Sequence, residues 1–231
     1  MSIEEKYYDD DQKKLETKTE RYDNTMVRSR VEFYTDGKTV AAVYEGNRDG
    51  DGVVEEYRSK GIKRARYHIQ FTGSSYSLRG SEQFDRWGFG KSTRWGKANG
   101  AFRFYHSNGK VALEGKAVDG KLEGKCTAYH TNGEKRVTFN YNDGKVVDGK
   151  YTVYRDNGEE KEEIWYKDGK SNGSYTSYHK GGHISEITKC KDGVKDGSYE
   201  KYDRKGKKIH DGIYQGGQRT IVNRYNGYKG R

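Results

Sequence analysis

The chain alternates apolar and polar residues over short runs. Val137, Phe139 and Tyr141 are separated by Thr138 and Asn140, the period of two that marks a half-buried strand. Such runs recur at a fixed interval. Five eleven-residue segments align without gaps: "GAFRFYHSNGK" from Gly100, "GKCTAYHTNGE" from Gly124, "GKYTVYRDNGE" from Gly149, "GSYTSYHKGGH" from Gly173 and "GSYEKYDRKGK" from Gly197. Their starts lie 24, 25, 24 and 24 residues apart, and each has Gly at position 1, Tyr at position 6 and Gly at position 10. Weaker copies begin at Arg28, Gly52 and Arg79, and a truncated one at Thr220.

Each unit predicts a β-hairpin. An aromatic and β-branched strand runs into Asn-Gly, a strong hairpin signal because both central residues of a two-residue turn need φ > 0. The expected turn glycines are Gly109, Gly133, Gly158, Gly182 and Gly206. A second turn follows in "NDGKVVDG", "KDGKSNG" and "KDGVKDG", so the chain should run strand, turn, strand, turn. The expected fold is all-β: an elongated, open and curved antiparallel meander of hairpins, solenoid-like because each unit touches its neighbours. Strands spaced about 4.8 Å apart would make eight such units about 75–80 Å long. Helix is expected only, if anywhere, in residues 1–27. Three regions result: a charged arm or cap over 1–27, the array over 28–217, and a basic end unit or tail over 218–231.

The aromatics at positions 3 and 6 are the expected core: Phe102 and Tyr105, Tyr151 and Tyr154, Tyr175 and Tyr178, Tyr199 and Tyr202, with Tyr129 at position 6 of the Gly124 unit. Composition strengthens this expectation. Leu, Ile, Val and Phe make up only 34 of 231 residues, too few for a thick core at this net charge. The 21 tyrosines can build a thin one, with rings packed and hydroxyls reaching water. A ligand-binding aromatic track is the competing reading of the same rings.

At this point the residues resemble a known family. "DGKSNGSYTSYHKGG" (168–182) and "DGKLEGKCTAYHTNG" (119–133) are similar to the MORN (membrane occupation and recognition nexus) repeat in its bacterial variant form, with G-x-x-x-G spacing, an aromatic strand and an N-G turn. The resemblance covers about residues 28–231 and is clear from Gly96 to about Gly217. It departs from the pattern over 63–95, and Thr220 stands where the last unit's second glycine should be. The resemblance implies an elongated sheet of hairpins and a non-enzymatic role as a protein-binding scaffold, a lipid binder or an antitoxin partner.

The candidate chemistry is sparse. "GFGKS" ends like a phosphate-binding loop, but that motif needs a Gly where Asp85 stands and a helix after Ser92. It reads as a repeat turn. Around it, Arg86, Lys91, Arg94, Lys97 and Arg103 interleave with Trp87, Phe89 and Trp95. They form a candidate partner-binding patch for an acidic partner, a nucleic-acid backbone or anionic headgroups; tryptophans filling a distorted unit are the alternative. His106, His130 and His179 follow the position-6 Tyr in their units. Neighbouring copies should be about 10 Å apart, too far to share a metal whose ligands sit about 2 Å away. No catalytic motif is present, so neither enzyme activity, cofactor nor metal is expected.

Charge bears on the partner. With 45 Lys and Arg against 35 Asp and Glu, the net charge is +10. Residues 1–30 hold seven basic and eight acidic residues, so the excess lies in the repeats and the tail, where Arg219, Arg224, Lys229 and Arg231 meet no acid. Scattered lysines in turns are an ordinary solvated surface, and nucleic acid is not an expected partner. The start, "MSIEEKYYDDDQ", is charged where a signal peptide would be apolar, and no run approaches a membrane span. Cys126 and Cys190 are expected to be reduced strand residues, and the location cytoplasmic. The expected function is a protein–protein scaffold or a structural part of an assembly. The alternatives are an antitoxin or immunity-type inhibitor, and recruitment to anionic lipids.

Overall fold

The computed structural model describes residues 2–7, 15–21, 27–34, 40–47, 49, 51–71, 76–77, 92–93 and 96–225. Among them there is no helix; every regular element is a strand. Consequently, among the described residues no helix is long and apolar enough to cross a membrane. Contacts divide the chain into two compact units, Met1–Cys126 and Thr127–Arg231.

In the first unit, the strands are β1 (Ser2–Tyr7), β2 (Leu15–Arg21), β3 (Val27–Phe33), β4 (Val40–Gly46) and β5 (Asp51–Tyr57). They continue as β6 (Lys63–Phe71), β7 (Tyr76–Ser77), β8 (Ser92–Thr93), β9 (Gly96–Tyr105) and β10 (Val111–Val118). The division falls inside β11 (Lys121–Tyr129). Each strand from β1 to β6 pairs antiparallel with the next, β6 pairs with β9, and β9 with β10. β7 and β8 form a separate two-stranded ribbon. Residues 2–7 and 15–21, within the stretch where a helix had room, are thus paired strands.

In the second unit, the strands are β12 (Lys135–Asn142), β13 (Lys145–Val146), β14 (Gly149–Tyr154), β15 (Glu160–Lys167) and β16 (Lys170–Tyr178). Then come β17 (Ile184–Lys191), β18 (Val194–Tyr202), β19 (Lys208–Gln215) and β20 (Gln218–Arg224). β12 pairs with β13 and β14, and from β14 to β20 each strand pairs antiparallel with its successor. Each unit is therefore an open meander.

Two kinds of turn alternate, and they correct the expectation for Asn-Gly. At Asn108-Gly109 only the glycine has positive φ, +81°. The Gly109 N–H donates to the His106 carbonyl and the His106 N–H to the Lys110 carbonyl, which closes a three-residue loop ending in a glycine bulge rather than a two-residue turn. The Asn108 side chain accepts the Lys110 N–H at 3.1 Å, holding the turn from inside. The same backbone bonds recur at Gly133, Gly158, Gly182 and Gly206. Asp-Gly makes the two-residue turns instead: Asp119 and Gly120 both have positive φ, 49° and 79°, as do the Asp-Gly pairs at 143–144, 168–169 and 192–193. The chain places each turn residue by its tolerance of left-handed backbone.

Alternation along the strand decides the core. Positions 3 and 5 of a unit share one face, while position 6 falls on the other, since side chains alternate along a strand. Phe102, Phe104, Tyr151, Val153, Tyr175 and Tyr199 are buried. Tyr105, Tyr129, Tyr154, Tyr178 and Tyr202, expected in the core, are half-buried on the opposite face. The register shifts at that point in hairpin after hairpin, between Val153 and Tyr154, Ser177 and Tyr178, and Lys201 and Tyr202. Aromatic packing is dense on the packed face. The Phe139 ring meets those of Tyr151 and Tyr166 at 4.9 and 5.4 Å between centroids, inside the range where aromatic pairs attract. Cys126 and Cys190 are free and buried in strands, and burial pushes the Cys126 thiol up to about 12.

Candidate interaction surface

The face opposite the core carries the repeated polar chemistry, and the position-6 tyrosines organise it. Tyr57 donates to Glu55 at 2.6 Å, and Lys63 to the other oxygen of the same carboxylate at 2.7 Å. Tyr178 donates to Glu163 at 3.0 Å, and Lys150 to its other oxygen at 2.6 Å. Tyr202 and Lys208 both bond Glu200, and Tyr225 and Asn223 both bond Asp211. A Tyr hydroxyl holding a carboxylate is thus a device of this face, repeated in both units.

Charge follows from that geometry. The Glu55 hydrogen bond, with burial adding to it, pushes the Tyr57 hydroxyl up to about 12. Burial first, then Glu163, does the same to Tyr178, also about 12. The Lys150 and Tyr178 hydrogen bonds hold Glu163 below its usual range, and those of Lys208 and Tyr202 do so for Glu200. A tyrosine whose folded pKa is raised stays protonated in the fold after the unfolded chain has begun to ionise. Its contribution is complete below about pH 10 and is lost as pH rises through about 12. Thermal melts should therefore show the melting temperature falling from about pH 10 to 12, and Tyr57→Phe/Tyr178→Phe should flatten that fall. An unchanged alkaline slope in the double variant would mean that these hydroxyls are not the groups responsible.

Position 7 ties one unit to the next. The Tyr34 hydroxyl donates to the Tyr57 carbonyl at 2.7 Å, and an Arg58 guanidinium nitrogen to the Tyr105 carbonyl at 3.0 Å. His130 Nε2 donates to the Tyr154 carbonyl and His179 Nε2 to that of Tyr202, both at 2.9 Å. Arg155 reaches the Tyr178 carbonyl. This is why His, Arg and Tyr interchange at the position: each offers a donor long enough to reach a carbonyl of the neighbouring hairpin. No group of three metal-ligating side chains gathers among the described residues.

The candidate basic patch divides. Arg86, Trp87, Phe89, Lys91, Arg94 and Trp95 lie outside the described residues, as does Gly90. Ser92 starts strand β8, where a phosphate loop would open a helix. Lys97 pairs with Asp119 at 3.0 Å and Arg103 with Glu114 at 2.9 Å, so each already meets an acid within its own unit.

Sequence reasoning missed the exposed apolar residues of the second unit. Trp165, Ile187 and Ile213 are 46, 37 and 43% exposed. They sit on β15, β17 and β19, on the same open face as Glu163, Glu200 and Asp211. Ile187 lies across from Glu200, and Glu200 across from Asp211. A shallow groove of about 370 Å³ is lined by Ile187, Ser198, Glu200, Asp211, Ile213 and Asn223. The signal was available in principle: in a period-2 strand, Trp165 alternates with the core residues Ile164 and Tyr166 and must face the other way.

No family model matches this sequence, and no curated protein matches it. Solved structures to which the chain is similar in part include two crystal structures. One is the crystal structure of TcdB2-TccC3-Cdc42, at 12% identity over 91% of this chain and 10% of that one, with a TM-score of 0.21. The other is the crystal structure of TcdB2-TccC3-TEV, at 10% identity over 97% of this chain and 11% of that one, with a TM-score of 0.22. This chain spans about a tenth of either.

Proposed function

We propose that this chain is a non-catalytic, MORN-type repeat protein that acts as an interaction scaffold, docking another protein on the open face of its second unit. The observation that carries the reading is the set of exposed apolar side chains, Trp165, Ile187 and Ile213, on a face whose carboxylates are held in fixed positions by tyrosines. Fixed polar groups around exposed apolar ones are the make-up of a protein-binding patch. The repeat supports the same reading, because identical hairpins extend a surface without building a reaction centre. On this face Lys150 and Lys208 pair with carboxylates, so these two are not free for a lipid headgroup.

The test is affinity capture with the tagged protein from its native lysate at about 0.15 M and 0.5 M salt, the higher value screening charge beyond a few ångströms. One stoichiometric protein should appear at both salts and be lost with Trp165→Ala/Ile187→Ser. A toxin as that protein would make the chain its inhibitor. Nucleic acid or lipid alone, lost at the higher salt, would overturn the scaffold reading.

A further inference from the structure

The packed face of the second unit changes character at one strand. Six and eight residues past the turn glycine, β12 carries Phe139 and Tyr141, and β15 carries Ile164 and Tyr166, all buried. At the same places β17 carries the smaller Thr188 and Cys190. A cation lies there instead of a ring. Lys195 stands on β18 directly across from Cys190, and its ammonium donates to Glu186, four residues back along β17. The stem between them therefore passes Thr188. The ammonium lies over the ring of Tyr175 on β16, at 4.5 Å, and over that of Tyr214 on β19, at 5.4 Å from the centroid, both within cation–π reach. Tyr199 backs the Tyr214 ring at 4.9 Å, and its buried hydroxyl has no hydrogen-bond partner among the described residues. Two residues before the unit glycine, where this unit has Lys195, others have Leu122 and Ser171, both buried.

Two aromatic faces and a carboxylate around an ammonium group are the make-up of a cage for organic cations. The rings and Glu186 are buried, whereas the Lys195 side chain is 31% exposed. The cage thus opens to solvent at its own occupant. We propose that it is a binding site for a small quaternary ammonium ion, which enters by displacing Lys195 to the surface. The exchange conserves charge: one cation replaces another beside Glu186, and Lys201 keeps its own contact with that carboxylate at 3.2 Å. A lysine ammonium is a compact, strongly hydrated charge, so Lys195 regains hydration on leaving. A methylated ammonium has less hydration to lose, and its methyl groups cover the rings. Lys195 competes through its tether, which acts as a high local concentration and sets the threshold that a ligand must exceed. The cage lies on the face opposite the docking surface, so it stands or falls independently of the scaffold reading.

The test titrates the full chain with choline and, separately, with dimethylbutanol, its uncharged analogue of the same shape, following the ring resonances of Tyr175 and Tyr214 by NMR. Choline should shift them, while the alcohol leaves them in place. Lys195→Ser, which gives this position the residue type of Ser171, should bind choline at least about tenfold more tightly than the wild type, because the tethered competitor is gone. If that variant folds poorly, Tyr214→Leu supplies the second reading: it removes one wall of the cage by an apolar exchange and should weaken choline several-fold. Equal response to choline and the alcohol, or response to neither, would overturn the proposal. So would a folded Lys195→Ser variant with no gain in affinity, or choline binding that Tyr214→Leu leaves unchanged. Phosphatidylcholine vesicles form the last arm. Vesicle binding without choline binding would also sink the proposal, because the affinity would then belong to a membrane surface and not to the cage.

Discussion

Phe139→Ala should lower the stability of the second unit by about 3–5 kcal/mol, the usual cost of deleting a fully buried aromatic ring. Phe139 has no exposed surface and touches the rings of Tyr141, Tyr151 and Tyr166. Its loss opens a void that three large neighbours on different strands cannot fill, because each is fixed by its own ladder. Tyr178→Ala is the informative comparison. Tyr178 sits on the open face, half-buried, and its removal costs part of a ring's transfer energy and one hydrogen bond to Glu163, about 1–2 kcal/mol. Denaturant unfolding of both variants measures the difference. Equal losses would mean that the two faces share the core, against the burial seen here.

Gly52→Ala should cost about 1–3 kcal/mol or more by overpacking, although Gly52 looks like any other glycine at position 1 of a unit. A Cβ there would lie 2.3 Å from Tyr44 Cε2, 2.5 Å from the Glu45 carbonyl oxygen and 2.8 Å from Gly46 Cα. Two of these atoms are backbone, so turning the Tyr44 ring does not relieve the clash, and β4 and β5 must part where Gly46 faces Gly52. Gly109→Ala fails for a different reason. A Cβ at Gly109 would have open space around it, yet φ is +81°, and left-handed backbone costs an ordinary side chain about 1–2 kcal/mol. Asn separates the two mechanisms, since it enters left-handed backbone more readily than Ala. Gly109→Asn should melt above Gly109→Ala, whereas Gly52→Asn should melt no higher than Gly52→Ala. Recovery by Asn at Gly52 would show that backbone conformation, not space, makes it glycine.

The repeat made much of the fold readable. A 24-residue period of aromatic strand, turn glycine and alternating return strand specifies antiparallel hairpins locally. Neighbouring hairpins then pair because each would otherwise leave an open edge. The return strand "VTFNY" shows how far this reaches: Val137, Phe139 and Tyr141 alternate in the sequence and are buried in the structure. The turns were readable as turns but not as types. Asn-Gly and Asp-Gly are both strong signals for a two-residue turn, and only the flanking hydrogen bonds reveal that Asn-Gly closes a three-residue loop here.

Alternation also sorts the repeated aromatics. Position 6 is separated from position 3 by an odd number, so Tyr105, Tyr129, Tyr154, Tyr178 and Tyr202 belong to the face opposite Phe102, Tyr151, Tyr175 and Tyr199. Recurrence alone gave both sets the same weight. Cross-strand neighbours lie beyond any local pattern: Glu163, Glu200 and Asp211 are up to 48 residues apart in the chain and share one row only because β15 to β20 pair in this register. Strand content, turn positions and the repeated unit were determined by the sequence itself, through alternation and the backbone tolerance of Gly, Asn and Asp. Which of the two faces is packed, and which charges share a row, was decided by tertiary pairing, since strand register sets which distant side chains become neighbours.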